Sequence, residues 1–119
     1  MAMPHAQPGQ PIDLAPLGDT LKEAATHAIL KTRSLELIRL VLPQGKATPP
    51  HSVAGECTIL CLEGELAVVA DGDTCRLETG QIVLLPAGIE HAVHAVSPAS
   101  ALLTIQIPPG APGSGSSTG

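Results

Sequence analysis

The chain has 119 residues, enough for one hydrophobic core but not two. Its 11 acidic and 6 basic side chains give a net charge of −5 with no run of Lys or Arg, which argues against nucleic acid and anionic membrane surfaces as partners. Phe, Tyr and Trp are all absent. No ring is therefore available to stack on a base or a sugar, and any pocket must be lined by aliphatic side chains, Cys and His around a small, non-aromatic ligand.

Residues 1–18 carry proline and little pattern and read as an N-terminal arm, with Ile12, Leu14 and Leu17 available to dock on a sheet or a neighbouring subunit. Asp19 is an expected N-cap, followed by one or two helical turns over Thr20 to Ala25. Short apolar runs then alternate with turn signals: His27 to Thr32, Leu35 to Leu42, Thr58 to Leu62, Leu66 to Ala70, Thr74 to Leu77, Ile82 to Leu85, Ala92 to Val96 and Ala101 to Ile107. That spacing predicts an all-β sandwich or barrel over residues 19–107. Asp71-Gly72 is a hairpin signal, because both residue types accept positive φ. Residues 108–119 are Pro, Gly, Ser and Ala with one Thr and no charged side chain, a composition expected to stay disordered.

Apolar residues make up 44% of the chain and charged ones 14%, with a mean hydropathy of +0.28. Several runs are apolar on both faces, so the outer face is expected to be covered by a second copy, as a homodimer. No stretch has the length of a membrane span, and the start lacks a cationic segment followed by an apolar one, so the expected location is the cytoplasm. Three cysteines without a secretory signal are expected as free thiols. On one strand Cys57 and Cys61 would lie about 13 Å apart at roughly 3.3 Å per residue, beyond disulfide reach. Cys75 shares the parity of Leu77 and is expected in the core.

Two stretches carry chemistry. The first runs Gly45, five residues, His51, then Cys57, six residues, Gly64; the second runs Gly80, five residues, Pro86-Ala87-Gly88, two residues, His91. Together they resemble the paired motifs of the cupin superfamily, closest to small single-domain cupin-2 (RmlC-like) proteins, over roughly Ser34 to Ile107. The resemblance implies a double-stranded β-helix, or jelly-roll barrel, and homodimers. It also implies a metal site whose ligand positions fall on His51, Val53, Cys57 and His91, so two of the four usual ligands are replaced. Ala95 stands where the second motif ends in asparagine.

Strand alternation puts Cys57, Ile59 and Cys61 on one face and His91, Val93 and Ala95 on another, with His94 pointing away. In the cupin register His51, Cys57 and His91 are the expected metal ligands, with Val53, Ile59, Cys61, Val93 and Ala95 as the expected pocket lining. Two imidazoles and a thiolate suit one divalent Zn, Ni, Cu or Fe ion; no nucleotide or organic cofactor is expected. Glu56 could join only through an irregular bend at Ala54-Gly55, and as a turn residue it is expected in solvent. Glu90 reads as a rim charge, and His5 and His27 have no nameable partner. The sequence leaves open whether the protein is an enzyme. A catalytic member would be a metal-dependent oxygenase or an isomerase or lyase; the alternatives are a metal-free small-ligand binder and a non-catalytic dimeric module.

Overall fold

A computed structural model describes residues 5–110, and the expected disorder of 111–119 falls outside them. Eight strands follow a single 3₁₀ turn (Gly18–Glu23): β1 (His27–Lys31), β2 (Leu35–Leu42), β3 (Cys57–Glu63), β4 (Glu65–Ala70), β5 (Asp73–Glu78), β6 (Ile82–Leu85), β7 (His91–Ala95) and β8 (Ala99–Gln106). All pairings between strands are antiparallel, in a five-stranded sheet of order β1-β2-β8-β3-β6 and a three-stranded sheet of order β5-β4-β7. Each run of apolar residues became a strand, with ends within two residues of those read from the sequence. Asp71 (φ 52°) and Gly72 (φ 81°) both take left-handed backbone, which a tight β4-β5 hairpin requires.

The core forms because period-two alternation turns one face of each sheet inward. Ile38, Leu40 and Leu42 of β2, Cys57, Ile59 and Cys61 of β3, Leu66 and Val68 of β4, Val93 and Ala95 of β7 and the odd residues 99–105 of β8 make one buried cluster. Register aligns these residues in rows: Ile38, Leu103 and Ile59 are consecutive cross-strand partners. Small side chains at 95, 99 and 101 let the sheets approach, so complementarity substitutes for the missing aromatic volume.

Two details differ from the sequence reading. The 3₁₀ turn starts at Gly18 and follows Leu17, whose carbonyl accepts from the Thr20 backbone N–H and hydroxyl; Asp19 lies inside the first turn rather than capping it. Cys75 is exposed, although its parity with Leu77 is right. β5 is an outer strand of the smaller sheet, and among its residues only Leu77 reaches the core.

The arm is tied to the outer face of the larger sheet by a polar cluster. Glu63 accepts from the Leu17 N–H (3.0 Å to each carboxylate oxygen), the Gly18 N–H (3.1 Å) and the Ser100 hydroxyl, and pairs with Arg39 at 3.3 Å. Arg39 Nη2 also donates to the Ala15 carbonyl (2.9 Å) and to Ser100 Oγ (3.2 Å). Burial alone would push the Glu63 carboxyl up, but the Leu17 N–H, the Ser100 hydroxyl, the Gly18 N–H and the Arg39 charge together hold it below its ordinary value.

Candidate functional site

The segment between β2 and β3 closes the barrel by running along the free edge of β7. Gly45 N–H donates to the Ala95 carbonyl, Ala95 N–H to Lys46, Thr48 N–H to Val93, and Val93 N–H to the Thr48 hydroxyl. At its end His51 and His91 exchange both backbone hydrogen bonds, at 3.0 and 2.8 Å. Directly opposed residues of an antiparallel pair present their side chains on the same face. The two imidazoles accordingly lie side by side, with ring centroids 4.6 Å apart and planes tilted by 51°.

Both rings are oriented from behind. Nδ1 of His51 lies 3.1 Å from the Pro49 carbonyl, and Nδ1 of His91 lies 3.2 Å from the Ile89 carbonyl. A carbonyl oxygen only accepts, so these contacts are hydrogen bonds when Nδ1 carries the proton, which leaves each Nε2 with a free lone pair. The prolines and the Pro86–Glu90 turn hold those carbonyls in place, and Gly88 N–H ties that turn to the Val53 carbonyl at 2.9 Å. His91 is 3% exposed. Burial pushes its pKa down, the Ile89 hydrogen bond opposes this, and the nearby His51 adds to the lowering, so His91 is neutral near pH 7.

Cys57 does not complete the set. Its side chain, 3% exposed, lies within the apolar cluster, and burial pushes the thiol up, away from the thiolate a metal would need. Among the described residues no three His, Cys, Asp or Glu side chains are gathered to hold an ion. Among the described residues a metal would thus meet two oriented imidazoles, with no third His, Cys, Asp or Glu gathered beside them. Ile59, Cys61, Val93 and Ala95 are sealed into the core, whereas Val53 is part-exposed and packs against it. Glu56 and Glu90 are exposed, as the alternation implied, and so is His94. The strand reading overlooked Glu36 of β2, whose parity with Ile38, Leu40 and Leu42 was legible and which is 3% exposed.

No helix among the described residues is long and apolar enough to cross a membrane. The sequence profile of the cupin domain matches residues 38–107, more than half of the chain. A search of the curated proteins finds no match. Among solved structures, a conserved protein of unknown function from Streptococcus pyogenes is 24% identical, with 91% of this chain and 96% of that one covered and a TM-score of 0.72. A cupin superfamily protein from Desulfitobacterium hafniense is 15% identical (83% and 100% covered, TM-score 0.69). An RmlC-like cupin with a double-stranded β-helix fold from Methanocaldococcus jannaschii is 16% identical (69% and 78% covered, TM-score 0.64). At these identities the structures speak for the fold alone. With both glycine-framed motifs in place and the profile spanning β2 to β8, the chain belongs to the cupin family, as a small cupin-2 domain protein.

Proposed function

We propose that the protein binds a small, non-aromatic molecule at the open end of the barrel, through direct hydrogen bonds to Nε2 of His51 and His91 and without a metal held by protein ligands alone. The observation that supports this is the paired orientation of the rings. Each Nδ1 is engaged by a backbone carbonyl, so both reactive nitrogens are left for a guest. A neutral imidazole in this tautomer accepts a hydrogen bond, and a proton delivered to Nε2 turns it into a donor, so the pair is also competent for proton transfer.

A second reading keeps the metal. A carbonyl behind Nδ1 is also what orients a metal-binding histidine, so a transition ion held by two imidazoles would take its remaining ligands from the small molecule. The reading extends to a homodimer, because Ile82 (58% exposed) and Leu84 (56%) on the edge strand β6 leave apolar surface uncovered.

The test is a small-molecule thermal-shift screen on chelator-treated protein, repeated with Zn, Ni, Cu and Fe(II). The expected outcome is a hit without metal whose affinity falls roughly tenfold or more in His51→Ala and in His91→Ala, the effect of losing one or two buried hydrogen bonds. Hits that appear only with metal support the second reading, and hits indifferent to both substitutions reject both.

A further inference from the structure

A cavity of about 270 Å³ lies away from the histidine pair, between the 3₁₀ turn and the ends of two strands. Asp19, Leu21 and Lys22 of the turn form one wall, with Pro43 and Gln44 after β2 and Pro98 before β8 forming the other. Leu42 pairs with Ala99, so the two prolines flank one end of the β2–β8 ladder. The next residue after Gln44, Gly45, binds the Ala95 carbonyl, and the segment then follows β7 until His51 meets His91. The length of β7 therefore separates this cavity from the two imidazoles.

Its walls are built before any guest arrives. Each proline ring fixes its own φ, and the Pro43 carbonyl is tied to the Lys46 N–H at 3.0 Å. Gly18, which also lines the cavity, donates its N–H to Glu63 at 3.1 Å, and Leu21 is 5% exposed. A wall held in this way adds little ordering cost on binding. The volume falls below the roughly 300–1,000 Å³ of sites for drug-sized ligands, and so suits a guest the size of an amino acid.

The lining also states the chemistry of that guest. Leu21, Pro43 and Pro98 offer an aliphatic surface with no ring to stack on. Asp19 and Lys22 stand three apart on a 3₁₀ turn, a spacing that brings side chains over one another. Among the described residues neither forms an ion pair or a side-chain hydrogen bond, with each other or with any other group. A carboxylate and an ammonium thus border an apolar hollow without neutralising each other. The complementary molecule carries the same two charges on adjacent groups of an aliphatic body, and the Gln44 amide can donate to one of them or accept from the other.

We propose that this cavity is a second ligand site, which takes a free α-amino acid with an aliphatic side chain. The carboxylate meets Lys22, the ammonium meets Asp19, and the side chain lies against Leu21, Pro43 and Pro98. The site goes beyond the histidine reading and does not depend on it.

The experiment titrates L-leucine, leucinamide and 4-methylpentanoate into ¹⁵N-labelled wild type, Lys22→Gln and Asp19→Asn, and follows the backbone amides by NMR. Leucinamide lacks the carboxylate and 4-methylpentanoate lacks the ammonium, so each tests one contact. Expected are saturable shifts of the Gly18, Leu21, Lys22 and Gln44 amides with millimolar L-leucine, and binding roughly fivefold weaker for each of the other two, the size of one exposed ion pair. Lys22→Gln should weaken L-leucine and leave leucinamide unchanged, while Asp19→Asn should weaken L-leucine and leave 4-methylpentanoate unchanged. Both side chains are exposed, so each variant is expected to keep the wild-type spectrum away from the cavity. A substitution that weakened all three molecules alike would show only a change in the turn and overturn the proposal. Equal affinity of wild type for the three, shifts centred on His51 and His91, or no saturable shift with millimolar L-leucine would overturn it as well.

Discussion

Glu63→Ala is expected to destabilise the protein by about 3–5 kcal/mol, a large share of the stability of a domain this size. The substitution leaves the Arg39 guanidinium buried without its counter-charge, and it strips the Leu17 and Gly18 N–H groups and the Ser100 hydroxyl of their acceptor. Arg39 Nε already lacks a partner, so no spare acceptor stands ready. Urea denaturation checks it, with the double variant Arg39→Met, Glu63→Leu as the control, since an apolar pair avoids the stranded charge. A loss below about 1 kcal/mol for the single variant would mean the cluster is solvated and unimportant. The pH dependence follows from the same group. Because the folded state holds the Glu63 carboxyl below its unfolded value, the stabilisation is complete above the ordinary carboxylate range and is lost as pH falls through the lowered folded value.

Gly64→Ala is expected to cost more than the roughly 1–2 kcal/mol that left-handed backbone imposes on a non-glycine residue. Gly64 has φ +77°, and a Cβ built on it would stand 2.2 Å from the Pro98 carbonyl oxygen and 3.0 Å from Ala99, where β8 begins. Those are backbone neighbours, so relief requires moving β3 away from β8. Gly45→Ala provides the comparison, because Gly45 has φ +79° but no heavy atom within 4 Å of an added Cβ. Equal denaturation midpoints for the two variants would remove close packing as the reason for glycine at 64.

The fold was legible because its signals are local. The Asp-Gly hairpin, the Pro86–Gly88 turn and the alternation in β3 and β7 each bias one segment, and they agree. The His51–His91 pair was legible as well, since the spacing from the framing glycines fixes both positions in register. What escaped was whatever depends on pairing between distant segments. Nothing local singles out Glu63, yet it receives the arm and Arg39; no local pattern joins positions 17, 39, 63 and 100. Cys57 shows the same limit: its spacing is near that of a ligand, but its surroundings come from Ile59, Leu85 and Ile105, whose approach depends on pairing with distant strands and whose packing pushes the thiol up. Cys75 reversed because parity says which face a residue is on and not whether that part of an edge strand overlies the core.

The measurement closest to the central claim is the long-range ¹H–¹⁵N spectrum of the histidine rings in metal-stripped protein, followed with pH. The account predicts that His51 and His91, when neutral, carry their proton on Nδ1, and that His91 titrates below the ordinary imidazole value because its charged form is desolvated and faces His51. Stability is then lost progressively as pH falls from that ordinary value through the lowered one, since the unfolded chain binds the proton first. Protons on Nε2 in both rings, together with ordinary titration of His91, would contradict it: the reactive nitrogens would not be held free for a ligand, and the pair would be a remnant of the barrel wall.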